Sequence, residues 1–104
     1  MTVTTLASYD CAPGDRDAVL EILEPARVAT IAEEGCEYFI VLAPQDAPDR
    51  VVLIEGWRSP GHLAAHRETA HFAGIILERL VPRLARRAVA VCDEIARSVA
   101  RPAA

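Results

Sequence analysis

Apolar and polar positions along the chain fall into blocks with two different periods. Residues 2–10, TVTTLASYD, carry β-branched residues and a tyrosine and stop before Ala12-Pro13-Gly14, which predicts a strand ended by a turn. From Asp15 the pattern is acidic first, and then Val19, Leu20, Ile22, Leu23, Ala26 and Ile31 recur at helical spacing. Pro25 is expected to kink that helix or to begin a new turn, and Gly35, after Glu33-Glu34, to supply a left-handed C-cap. YFIVLA, residues 38–43, predicts a second strand and RVVLIEGW, residues 50–57, a third. The turn chemistry of PQDAPD between them makes an antiparallel hairpin. Ser59-Pro60 reads as an N-cap followed by proline at the first helical position. A helical region is expected from there to about Arg87, with a break near Thr69 and a disturbance at Pro82, before a last strand, AVAVCDEI, at 88–95.

The order β-α-β-β-α-β is that of a ferredoxin-like α+β fold, a four-stranded antiparallel sheet with two helices on one face. A chain of 104 residues fits one such domain, expected over 1–97, with a loose tail at 98–104. The second face of so apolar a sheet is left bare. A homodimer through that open face is therefore expected.

The charge pattern removes several classes of function. A net charge of −4 argues against nucleic acid and anionic membrane as partners. All eleven basic residues are arginine, so no lysine is present for Schiff-base chemistry. Cys11, Cys36 and Cys92 are odd in number and scattered, and no signal-peptide pattern or long apolar run accompanies them. They read as reduced thiols, best placed as small buried hydrophobes, in a cytoplasmic protein. The glycine-rich, CxxC, GxSxG and HExxH signatures of dinucleotide, redox, hydrolase and zincin chemistry are missing.

Candidate chemistry gathers in IEGWRSPGHLAAHRETAHF, residues 54–72, which holds the only tryptophan and all three histidines. Strand alternation puts Leu53, Glu55 and Trp57 on one face and Val52, Ile54 and Gly56 on the other. Helical spacing joins Leu63, His66, Ala70, Ala73, Leu77 and Leu80 in one apolar stripe, so His66 must face the sheet. A histidine or a carboxylate in that setting needs a partner, and Glu55 can find one in an arginine or in His66. His62 stands one turn before His66, but two histidines without a third ligand make a weak metal signal, and no metal is assigned. His71 lies on the surface of a continuous helix and turns inward if the helix breaks at Thr69.

These residues resemble the antibiotic biosynthesis monooxygenase family. The resemblance rests on EEGC (33–36), VVLIEGWRS (51–59), HLAAH (62–66), Thr69 and HF (71–72), in order and at matching spacing. It implies a dimeric α+β barrel, in which two ferredoxin-like sheets pack face to face. It further implies oxidation of a quinol, anthrone or related phenolic polyketide by molecular oxygen, with no metal, flavin or haem. Within that likeness His66 is the base or hydrogen-bond partner of the substrate oxygen, and Glu55 orients a histidine or pairs with an arginine. Trp57 packs on the substrate ring, while His71 and Phe72 wall the cavity. Family members commonly carry a tyrosine at the position of Phe39; here Tyr38 stands one residue earlier, and either can line the pocket. Relatives that degrade haem use an asparagine on the first strand, and this chain has none. Two other readings stay open at this level: a dimeric stress protein that binds a small aromatic ligand without turnover, and an isomerase of a small hydroxy-ketone.

Overall fold

In a computed structural model, which describes residues 1–101, the chain runs β1 (Val3–Cys11), α1 (Arg16–Ile31), β2 (Cys36–Leu42), β3 (Arg50–Trp57) and α2 (Pro60–Arg67). A π-helical segment (Phe72–Leu80) and a single 3₁₀ turn (Val81–Arg83) then lead into β4 (Leu84–Asp93). The four strands form one antiparallel sheet in the order β2-β3-β1-β4, with the helices on one face, as the ferredoxin-like reading requires. Of the expected tail at 98–104, the last three residues lie outside the described part.

The core lies between the sheet and α1. Ala7, Tyr9 and Cys11 of β1 and Val51 and Leu53 of β3 meet Val19, Leu23 and Ala26 of α1, with Ile76 and Leu80 closing one side. The helix residues sit at i, i+4, i+7, the stripe that one helical face presents to a sheet. Full burial of a leucine such as Leu23 contributes roughly 1.5–3 kcal/mol. α1 is one helix through Pro25, so no new turn begins there. It ends at Ile31 with Ala32 as its C-cap, and Gly35, at φ +83°, instead forms the turn that enters β2.

The second helical limb breaks near Thr69 as expected, but two other expectations about it are corrected. The limb breaks after Arg67, where Glu68 and Thr69 bond back to Ala65 and His66 carbonyls, and it resumes at Phe72 with wider turns. The inward face therefore becomes Phe72, Ile76 and Leu80, and the anticipated stripe members Ala70, Ala73 and Leu77 point outward. A π-helix bonds i to i+5, so residues four apart fall nearer to one face than in an α-helix. The last strand begins at Leu84 rather than 88, so Arg86 and Arg87 belong to the sheet.

The opposite face is uncovered over much of its area. Leu6, Ile40 and Leu42 are each at least 40% exposed on it. Beyond β4 the chain folds back so that the Arg97 guanidinium lies 4.8 Å from the centre of the Tyr38 ring and pairs with Glu37 and Glu94. Among the described residues no helix is long and apolar enough to cross a membrane.

Candidate active site

Strand pairing builds the floor of the site. Thr5, Ala7 and Tyr9 of β1 lie opposite Glu55, Leu53 and Val51 of β3 and alternate toward the helices. On β2, a register shift between Cys36 and Tyr38 absorbs one residue. Strict alternation would put Cys36 and Tyr38 on one face; with the shift, Phe39 pairs with Glu55 and faces the core. Tyr38 points away to the bare face, against Gly56, and its hydroxyl is 2.9 Å from Thr4 Oγ1. Of the two aromatic candidates, the structure thus places Phe39 at the cavity and Tyr38 outside it.

Ser59 opens α2 by accepting a hydrogen bond from the His62 backbone, and its hydroxyl also lies 2.7 Å from His62 Nδ1. One turn on, His66 is buried, its ring 4.7 Å from that of Trp57 and 5.1 Å from that of Phe72. Its orientation comes from Glu33 of the EEGC stretch, a residue with no role evident from the sequence. The positive φ of Gly35 draws the loop after α1 tightly against α2, where any Cβ on Gly35 would run into the His62 ring. That approach brings Glu33 Oε2 to 2.7 Å from His66 Nδ1 and 2.8 Å from His71 Nε2. A carboxylate only accepts, so both imidazoles donate to it, and the proton of neutral His66 sits on Nδ1. Nε2 is left as an acceptor, 3.7 Å from Glu55 Oε1. Glu33, and not Glu55, is therefore the residue that orients His66.

Burial sets the acid–base character of the pair. It lowers the pKa of His66 below the ordinary 6.5, outweighing the Glu33 hydrogen bond that raises it, so the imidazole is neutral near pH 7. Burial, aided by the nearby Glu33, pushes Glu55 up to about 7, against the opposing pull of Arg67 and Arg87. The Tyr9 phenol is raised, mainly by burial. Cys36 is pushed up to about 11, chiefly by burial and then by Glu55 and Glu33, so its thiol is no nucleophile at neutral pH.

Thr5, Phe39, Glu55, His66, Phe72 and Arg87 border a cavity of about 40 Å³, with Ala7 and Leu53 on its floor and Arg67 and Ile76 at its wall. This is room for little more than one water, so admitting an aromatic ring requires the wall to move outward. Of the residues chosen from sequence, His66, Glu55, Phe39 and Phe72 meet in this cavity. Trp57 lies behind His66, fully buried, and its indole Nε1 has no partner. His71 stands just outside, turned inward by the break at Thr69 and held by Glu33. Glu33, His66 and His71 also offer ligand atoms within 4.8 Å of one another, a set suited to a metal by residue type, though hydrogen bonding already accounts for their approach. Thr5 and Tyr9 escaped sequence reading although the alternation of β1 carries them, and Arg87 was hidden by its assignment to the end of a helix.

Comparison with known proteins places the fold and the family. The chain is 33% identical over 79 residues to the probable quinol monooxygenase YgiN of Escherichia coli K12, a match spanning 66% of this chain and 76% of that protein. The structure of Rv0793 from Mycobacterium tuberculosis matches with a TM-score of 0.86 at 26% identity, over 95% of this chain and 100% of that one. PA3566 from Pseudomonas aeruginosa shares the fold, with a TM-score of 0.82 at 23% identity, over 91% and 95% of the two chains. The antibiotic biosynthesis monooxygenase profile matches residues 2–76, a span that contains Thr5, Glu33, Glu55, His66 and Phe72. The chain belongs to the antibiotic biosynthesis monooxygenase family.

Proposed function

We propose that the chain is a cofactor-independent monooxygenase that oxidises a quinol, anthrone or related phenolic substrate with molecular oxygen in the cavity between Glu55 and His66. One observation carries the reading: Glu33 fixes the Nδ1 proton of a buried, neutral His66, which leaves Nε2 as a base at a small cavity between the sheet and the helices. Oxygen accepts an electron readily only from an electron-rich anion, so the protein's task is to remove a phenolic or enolic proton away from water. His66 Nε2 takes that proton, and Glu33 stabilises the imidazolium that results, as the carboxylate of a catalytic triad does. Glu55, poised near neutrality, is placed to pass a proton to the reduced oxygen. For a quinol, one oxygen atom enters the ring and the other leaves as water. The substrate supplies all four electrons, from the C–H that becomes C–O and from the quinol that becomes a quinone, so no external reductant enters.

The test is oxygen uptake by chelator-treated protein with a panel of quinols and anthrones, using heat-killed protein to measure autoxidation. Uptake above that background, lost in His66→Ala and accompanied by one labelled oxygen atom in the product from ¹⁸O₂, is the expected result. Uptake that persists in His66→Ala would remove the base from this mechanism. The bare sheet face supports a homodimer as the working form, because Leu6, Ile40 and Leu42 lie open to solvent in the single chain.

A further inference from the structure

Thr5 is only 6% exposed, borders the cavity, and its hydroxyl has no hydrogen-bond partner. Two other threonine hydroxyls are occupied: Thr4 meets the Tyr38 phenol, and Thr69 donates to the His66 carbonyl. Leaving a buried hydroxyl unpaired is unfavourable, and valine would fill the same space without that cost. The neighbours of Thr5 on the inner face of β1, Val3 and Ala7, are indeed apolar. Thr5 is also the direct cross-strand partner of Glu55, and both side chains face the helices. Such a pair has its Cβ atoms roughly 4.5–5.5 Å apart. A donor hydroxyl and a carboxyl group thus stand side by side at the cavity, and the hydroxyl oxygen, closed off in the chain as it stands, is uncovered only when the wall moves to admit a ring.

Resting on the proposed phenol-oxidising function, we infer that the cavity reads two oxygens on one edge of the substrate, one met by Glu55 and His66 and the neighbouring one by the Thr5 hydroxyl. The substrate class is then an aromatic with ortho or peri oxygen functions, since a para pair points to opposite sides of the ring and leaves Thr5 unpaired. The test is anaerobic binding of ortho-, peri- and para-dihydroxynaphthalenes, followed through the fluorescence of Trp57, the only tryptophan, whose ring lies against His66. Wild-type protein should bind the ortho or peri isomer about three- to tenfold more tightly than the para isomer. Thr5→Val should abolish that preference while still binding the para isomer, and Thr5→Ser should retain it. A preference that survives in Thr5→Val, or wild-type binding that ignores the oxygen pattern, overturns the inference; Thr5 then faces only water. In that case, oxidation of the para isomer would leave the monooxygenase reading standing. Failure of every isomer to bind would remove both.

Discussion

Replacing Glu55 by glutamine isolates the cost of burying this carboxyl group. Its pKa rises from an ordinary 4.5 to about 7 on folding. Between those values the folded chain binds more protons at this position than the unfolded chain, so stability falls as pH rises. The effect is absent below pH 4.5 and complete above pH 7. At about 1.4 kcal/mol per pH unit, the full loss is about 3 kcal/mol. Glutamine has nearly the shape of the protonated acid and cannot ionise. Urea unfolding of wild type and Glu55→Gln should therefore give similar stabilities near pH 4.5. The variant should become more stable as pH rises, by up to about 3 kcal/mol at pH 8. Taking the difference between the two proteins cancels every group they share. A difference that stays flat with pH, or that favours wild type at high pH, would refute the claim that Glu55 is buried against its charge.

The remaining predictions address the base, the packing and the assembly. The kcat/KM profile should show an acid limb below pH 6.5 from His66; Glu33→Gln removes the partner that raises that pKa, so the limb should move lower still while kcat falls roughly 10–100-fold. Gly56→Ala should lower stability by about 1–3 kcal/mol in chemical denaturation, because its Cβ would collide with the Tyr38 ring, whereas Gly74→Ala, with open space around it, should be neutral or stabilising by up to about 1 kcal/mol. Light scattering should give a dimer mass for wild type, as the proposed homodimer requires, and a monomer mass for Ile40→Glu on the bare face; a monomeric wild type removes the dimer, and an unchanged dimer in the variant would place the interface elsewhere.

The fold was legible because its strands are apolar and separated by clear turn chemistry, and because alternation along 50–57 places Glu55 on the same side as Leu53 and Trp57. His66 was legible for a similar reason, as a polar residue on an apolar stripe. What escaped depends on local departures from ideal periods. The register shift near Glu37 decides between Tyr38 and Phe39, and no count of two along the strand reveals it. The wide turns after Phe72 replace Ala73 and Leu77 with Ile76 on the inner face. Arg86 and Arg87 look like the polar end of a helix, yet β4 lies at the sheet edge, where charged side chains reach solvent readily. Glu33 was visible only as text, because a loop carboxylate finds its histidines through a tertiary approach that Gly35 alone permits.

The break at Thr69 divides the labour of the second helical limb. The Thr69 hydroxyl donates to the His66 carbonyl, and at 3.2 Å it accepts from the Phe72 backbone N–H, so one side chain ties the end of one segment to the start of the next. His66 and its contact with Glu33 stand on one side of that clasp, and the cavity wall of Phe72 and Ile76 stands on the other. On the proposed function the base and the shaping wall then stand in different stretches of chain, with His71 alone reaching back across the clasp to Glu33. The wall can be recut at 72 and 76 to admit larger or differently shaped rings while the base keeps its tautomer and its partner. If the proposed function holds, a fold arranged this way is a ready scaffold for changing what is oxidised without rebuilding how.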